Sequence, residues 1–136
     1  MGTQKTHTVT ATDRAAIEKI ITECIDAWNR RSEKKFVKDF SDDVDLINLF
    51  GRHLSGKIEV EKVIGQALRQ FFANSLLTVT NILLRELQQN AAFAIISWNM
   101  VDQISGKTRE GFLSMIFVHS EHKWMIVHVQ NTFKAD

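Results

Sequence analysis

The chain has 136 residues, a net charge of +1, and 44% hydrophobic against 24% charged residues. That length suits one domain with a real core, and so even a charge balance gives no general attraction toward nucleic acid or an anionic membrane. A single cysteine, Cys24, excludes an internal disulfide and fits a reducing compartment; no His/Cys grouping has zinc-like spacing, so no metal is expected, and no apolar run approaches bilayer length.

Residues 1–9 read as a flexible tail, followed by one domain over residues 10–136. The opening MGTQKTHTVTATD has no apolar core of the kind a secretory leader carries, and the expected location is the cytoplasm. Thr10 and Asp13 offer a capping-box-like helix start, with Thr12 as an alternative cap. Ile17, Ile20, Ile21, Cys24, Ile25 and Trp28 then recur at three- and four-residue steps, one apolar face of a helix of about twenty residues. Ser32 caps a second, short helix with Phe36, Val37 and Phe40 on its buried side. The basic cluster at Arg30, Arg31, Lys34, Lys35 and Lys38 is interleaved with Glu33 and Asp39, the pattern of a solvated helix face.

Ser41-Asp42-Asp43 is turn chemistry. Val44 to Phe50 reads as a short strand, and a third helix runs from Ile58 to Phe72 with Gly65 inside it. Strands follow at 76–87, 91–103, 109–119 and 123–133, with turns at Gln88-Gln89-Asn90, Ser105-Gly106 and Ser120-Glu121-His122. Strands this long must twist and curl as a sheet. The fold class is therefore α+β, three N-terminal helices packed on a strongly curved antiparallel meander.

The last strand, KWMIVHVQNTF, is apolar on both faces, so each face needs a cover. Simple hairpins assign one face Asn81, Ser97, Asn99, Met115 and Asn131 among Phe93, Ile95, Leu113 and Val129. A few hydrogen-bonding groups set in apolar walls is the lining of a small-molecule pocket; the alternative is that these groups bond backbone at bulges. The other face collects Ile96, Trp98, Ile116, Trp124, Ile126 and His128, too apolar to leave wet, and is expected to form a homodimer interface.

The order of elements and several short motifs resemble the nuclear transport factor 2-like superfamily of cone-shaped, cystatin-like α+β proteins, particularly its SnoaL-like branch and the small SgcJ/EcaC-type proteins. The matching stretches are Ala27-Trp28-Asn29-Arg30, Phe36 to Phe40, Asp43-Val44-Asp45-Leu46-Ile47-Asn48 with Gly51, Gly56-Lys57, and Lys123-Trp124-Met125-Ile126-Val127 with Gln130-Asn131-Thr132. The resemblance implies a cavity between sheet and helices and a dimer through the outer sheet face. The last strand also resembles that of the kinase association domain of the same superfamily, which implies that Asn131 faces inward. The superfamily holds isomerases, cyclases, dehydratases, binding proteins and oligomerisation modules. Many SgcJ-like members carry a histidine where this chain has Ile64, a departure that weakens any acid–base mechanism taken from them.

Asp45, among Val44, Leu46 and Ile47, is the candidate catalytic carboxylate: facing an apolar cavity, its pKa would rise toward general-base duty, whereas on an edge strand it would simply face solvent. Trp28 at the cavity wall, Asn48, and His53 in the loop before Gly56 complete the candidate ligand contacts. The leading expectation is a protein that takes a small apolar molecule bearing oxygen functions. If it is an enzyme, it is a cofactor-independent isomerase, cyclase or dehydratase; the alternatives are a non-catalytic binding protein and a homo-oligomerisation module. No glycine-rich phosphate loop supports a nucleotide cofactor.

Overall fold

The computed structural model describes residues 9–136; all of the expected tail but Val9 lies outside them. The elements run α1 (Ala11–Asn29), α2 (Glu33–Phe36), β1 (Phe40–Ile47), β2 (His53–Ser55), α3 (Lys57–Arg69), β3 (Ser75–Gln88), β4 (Ala91–Asp102), β5 (Thr108–Ser120) and β6 (Lys123–Phe133). The strands form one six-stranded sheet in the order β2-β1-β6-β5-β4-β3. Three helices cover one face of this curved sheet, and the fold is α+β. Among the described residues, no helix is long and apolar enough to cross a membrane.

Local chemistry starts the first two helices where the sequence indicates, while α3 follows Gly56 without a side-chain cap. The Thr10 hydroxyl accepts from the Asp13 amide at 3.1 Å, and the Ser32 hydroxyl accepts from the Lys35 amide at 3.3 Å. Ile17, Ile21, Cys24, Ile25 and Trp28 of α1 enter the core together with Val60, Ile64 and Leu68 of α3. Cys24 is core, its thiol donating to the Phe36 carbonyl, and burial pushes its pKa well up. A dense set of bonds ties the end of α1 to the start of β3. Asn29 bonds both the amide and the carbonyl of Leu77, at 2.8 and 2.9 Å, and the Arg31 guanidinium reaches the carbonyls of Ala73 and Ser75.

The sheet is larger than a four-stranded meander because the segment after α2 joins it. β1 lies parallel to β6, and β2 adds an antiparallel edge. The expected turn at Ser41-Asp42-Asp43 is instead an irregularity inside β1. Between the pairings Phe40↔Ile126 and Asp45↔His128 that strand advances more residues than its partner, and Asp42 and Asp43 remain exposed on it. The third helix stops at Arg69, so Phe71 and Phe72 lie in the turn beyond it.

The assignment of sheet faces needs correction on β4, on the first half of β6, and on β3 past the irregularity between Val79 and Asn81. Met115 pairs with Ala94 rather than sharing a face with Ile95, and a one-residue difference turns every side chain of a strand over. Ala92, Ala94, Ile96, Trp98 and Met100 therefore face the helices, buried, while Phe93, Ile95, Ser97 and Asn99 are half-buried on the other face. On β6 the register slips between Ile116↔His128 and Phe117↔Ile126. Trp124 and Ile126 consequently point into the core, whereas His128 points out. Four of the six residues expected at a dimer interface, Ile96, Trp98, Trp124 and Ile126, are thus buried in the chain's own interior, at 7% exposure or less. Ile116 and His128 remain on the outer face.

Candidate functional site

Two small spaces lie side by side, one between helices and sheet and the other among the loops and strand ends next to it. An inner chamber of about 50 Å³ is walled by Trp28, Leu46, Ile64, Phe72, Leu113 and Val129, with Asn48 and Asn131 as its polar groups. A mouth of about 160 Å³ lies beside it, lined by Phe50, Phe71, Phe72, Met100 and Phe133 and rimmed by Asp102, Lys107 and Arg109. Phe50 and Phe72 line both spaces. The mouth matches the ~150 Å³ of a cavity that admits benzene, whereas the chamber has room only for a few water-sized groups.

The rings between the two spaces are set by backbone chemistry. The Asn48 side-chain oxygen accepts the amides of Phe50 and Arg52, both at 3.0 Å, an Asx-type turn that fixes the loop carrying Phe50. The Trp28 indole donates to the Ser75 hydroxyl at 3.0 Å, and that hydroxyl donates to the Phe72 carbonyl at 2.8 Å. Trp28 also meets the Phe72 ring at 5.1 Å. Phe50 lies nearly parallel to Phe72, at 6.2 Å and 19°, and meets Phe71 edge-on at 5.1 Å. Yet Phe50 and Phe71 are 59% and 74% exposed, so a largely solvated aromatic pair borders the opening.

Asn131 is the inward polar group of β6. Its side-chain oxygen accepts the Trp98 indole N–H at 2.9 Å, while its amide nitrogen donates to no atom of the described residues. The ring of Trp98 fits there because Gly111 lies directly opposite it on β5. None of the described residues lining the inner chamber is ionisable.

Trp28, Asn48 and Asn131 thus come together at the chamber. Met115 is fully buried and does not line it. Asn81, Ser97 and Asn99 lie on the outer side of the sheet, where the altered register places them, and Asn99 borders an open surface groove with Thr80 and Lys134. Asp45 is corrected as well. Buried Val44 and Leu46 flank it, so its side chain faces away from the core. Its carboxylate bonds His53 Nε2 at 2.7 Å and the Ser55 hydroxyl at 3.1 Å, and those bonds, that to His53 first, hold it below the usual carboxylate range. His53 is 60% exposed beside it rather than at the cavity mouth. The residues that sequence reasoning missed are Phe50, Phe71, Phe72, Lys107 and Arg109. The available signal was the placement of large aromatics next to turns, Phe50 before Gly51 and Phe71-Phe72 after Gln70.

The profile of the SnoaL-like domain matches residues 17–135. Among solved structures, a domain with a cystatin-like fold from Nostoc punctiforme superposes with a TM-score of 0.86 at 25% identity, over 94% of this chain and 81% of that one. A protein with a cystatin-like fold from Caulobacter vibrioides gives 0.81 at 22% identity, over 90% and 89% of the two chains. A Novosphingobium aromaticivorans protein provisionally named scytalone dehydratase gives 0.78 at 12% identity, over 91% and 85%; at such identity the likeness is one of fold. No curated protein matches the chain.

Proposed function

Starting from the fact that this chain belongs to the SnoaL-like domain family, within the nuclear transport factor 2-like superfamily, we propose that it binds a small, mostly apolar molecule between sheet and helices. The apolar part occupies the aromatic mouth, and an oxygen acceptor reaches the chamber. The observation that carries this is Asn131: it lines a chamber whose walls are apolar but for Asn48, its oxygen is committed to Trp98, and its amide N–H₂ has no protein acceptor among the described residues. A free donor of that kind favours a ligand carbonyl or hydroxyl over hydrocarbon, by about 0.5–1.5 kcal/mol, the net worth of one hydrogen bond.

Binding without chemistry is favoured over proton transfer on a carbon acid. A general acid or base must reach the reacting atom, yet the described chamber lining holds no ionisable side chain. Asp45 faces the other way with its pKa lowered. Asp102, at the mouth, is likewise held below the usual carboxylate range by the Ser105 and Ile104 amides. An isomerase or dehydratase activity, as the name of the Novosphingobium protein carries, would need a base that this lining does not offer.

We propose also that the protein works in the cytoplasm as a homodimer, through the outer sheet face as the structure redraws it. There Phe93 pairs with Ile116, which pairs with His128, and Ile95 lies alongside.

The test is a comparison of acetophenone with ethylbenzene, matched in size but not in the oxygen, by calorimetric titration. Acetophenone should bind more tightly to the native protein. Asn131→Asp keeps an acceptor for Trp98 but replaces the N–H₂ donor by a second oxygen, so it should abolish that preference without weakening ethylbenzene. Equal loss of both ligands, or an unchanged preference, would remove Asn131 as the recognising group.

A further inference from the structure

Lys107 lies in the loop just before β5, and Arg109, the strand's second residue, pairs with inward-facing Met100 and so lies on the face of the sheet that turns toward the mouth. Both line it. The Arg109 guanidinium lies over the Phe133 ring at 4.7 Å, which holds a planar donor group in place beside the opening. Among the described residues neither cation forms an ion pair. The acid at the same rim, Asp102, is turned to its own loop, its Oδ1 accepting the Ile104 and Ser105 amides at 2.9 Å each. The mouth therefore combines aromatic walls, room for about one ring, and two cations that outnumber the rim's one carboxylate, Asp102.

We propose that the ligand of this site is a monocyclic organic acid, its ring against Phe50, Phe71 and Phe72 and its carboxylate on Arg109 and Lys107. The proposal rests on the binding function argued above and adds the charge of the ligand to it. A carboxylate matches the guanidinium fork and forms charge-assisted hydrogen bonds, about twice as strong as neutral ones. An apolar ring alone would leave Lys107 with water, and Arg109 with water and the Phe133 ring, and a cationic ligand would face repulsion at the rim. Because the two cations are exposed, the attraction must be sensitive to ionic strength.

The experiment is calorimetric titration of the full chain with phenylacetate and with phenylacetamide, its neutral isostere, at neutral pH and low salt. Phenylacetate should bind about tenfold more tightly, and raising the salt to about 0.3 M should erode that advantage while leaving the amide unaffected. In the double variant Arg109→Gln/Lys107→Gln the two probes should bind alike. Equal affinities in the native protein, or a carboxylate preference that survives the double variant, overturn the proposal while leaving the pocket itself standing. If neither probe binds at millimolar concentration, the proposal and the binding function fail together.

Discussion

Gly111→Ala is the substitution whose consequence the structure states most sharply. A β-carbon built on Gly111 would overlap Trp98 Cζ2 and the Thr132 carbonyl oxygen, and would come within 2.6 Å of Trp98 Cε2. Neither neighbour has room to give way. Trp98 is 1% exposed and bonded to Asn131, and Thr132 is backbone in the adjacent strand. Overpacking of this kind costs about 1–3 kcal/mol, and displacing the indole sacrifices a hydrogen bond worth about 1 kcal/mol. Alanine regains part of that by stiffening the unfolded chain, for a net loss of about 2 kcal/mol. With an unfolding entropy of about 2.1 cal/mol/K per residue, a chain of 136 residues should melt about 7 °C lower. Urea unfolding followed by tryptophan fluorescence gives the free energy directly. In a Trp98→Leu background the same substitution should cost less, since the obstructing ring is gone and only the overlap with the Thr132 carbonyl oxygen remains, and the double-mutant cycle should show a coupling above 0.5 kcal/mol. Gly65→Ala is the contrast: the nearest atoms to its β-carbon are the ends of the Glu33 and Arg69 side chains, which can swing aside. The gain in helix propensity, up to ~1 kcal/mol, then offsets the disturbed ion pair. If Gly111→Ala is neutral, or costs the same with and without Trp98, the packing argument is wrong.

The outer sheet face and the acidic limb supply two more predictions. Ile116→Glu should convert a dimer to a folded monomer in light scattering coupled to gel filtration, whereas Ile126→Glu, at a position 1% exposed, should prevent folding; a native monomer at micromolar concentration would contradict the dimer. For Asp45, the folded pKa lies below that of the unfolded chain, so its contribution to stability is complete above about pH 3.9 and vanishes as pH falls through the folded value. Asp45→Asn should flatten the stability profile below about pH 4 relative to the native protein, and parallel profiles would refute the bond to His53 and Ser55 as its cause.

The helices were legible because their signal is local. The three- and four-residue steps from Ile17 to Trp28 need only the geometry of one helix, and Thr10 and Ser32 cap where their types suggest. Asn131 and Trp28 were legible for a related reason: the end of β6 keeps its alternation, and α1 shows its buried face directly. The face of β4 was not legible, because it depends on the register set by the loop between Asp102 and Lys107, and a single-residue change there inverts Ser97, Asn99 and Trp98 together. The same applies to Trp124 and Ile126, which turn inward at a slip that leaves no mark in β6 itself. The aromatic mouth was hidden further, since Phe50 and Phe71 meet only after the chain has returned from α3, and their contact has no periodicity to betray it.

The three tryptophans allow the binding claim to be read in one spectrum. Trp28 lines the chamber, Trp98 donates to the chamber's Asn131, and Trp124 donates to Asp13 away from both spaces. In a proton–nitrogen correlation spectrum each indole N–H gives its own signal. Titration with acetophenone should shift the Trp28 and Trp98 signals along a common saturation curve and leave Trp124 in place. No movement up to millimolar ligand, or a shift of Trp124 equal to the other two, would contradict a binding site between the sheet and the helices.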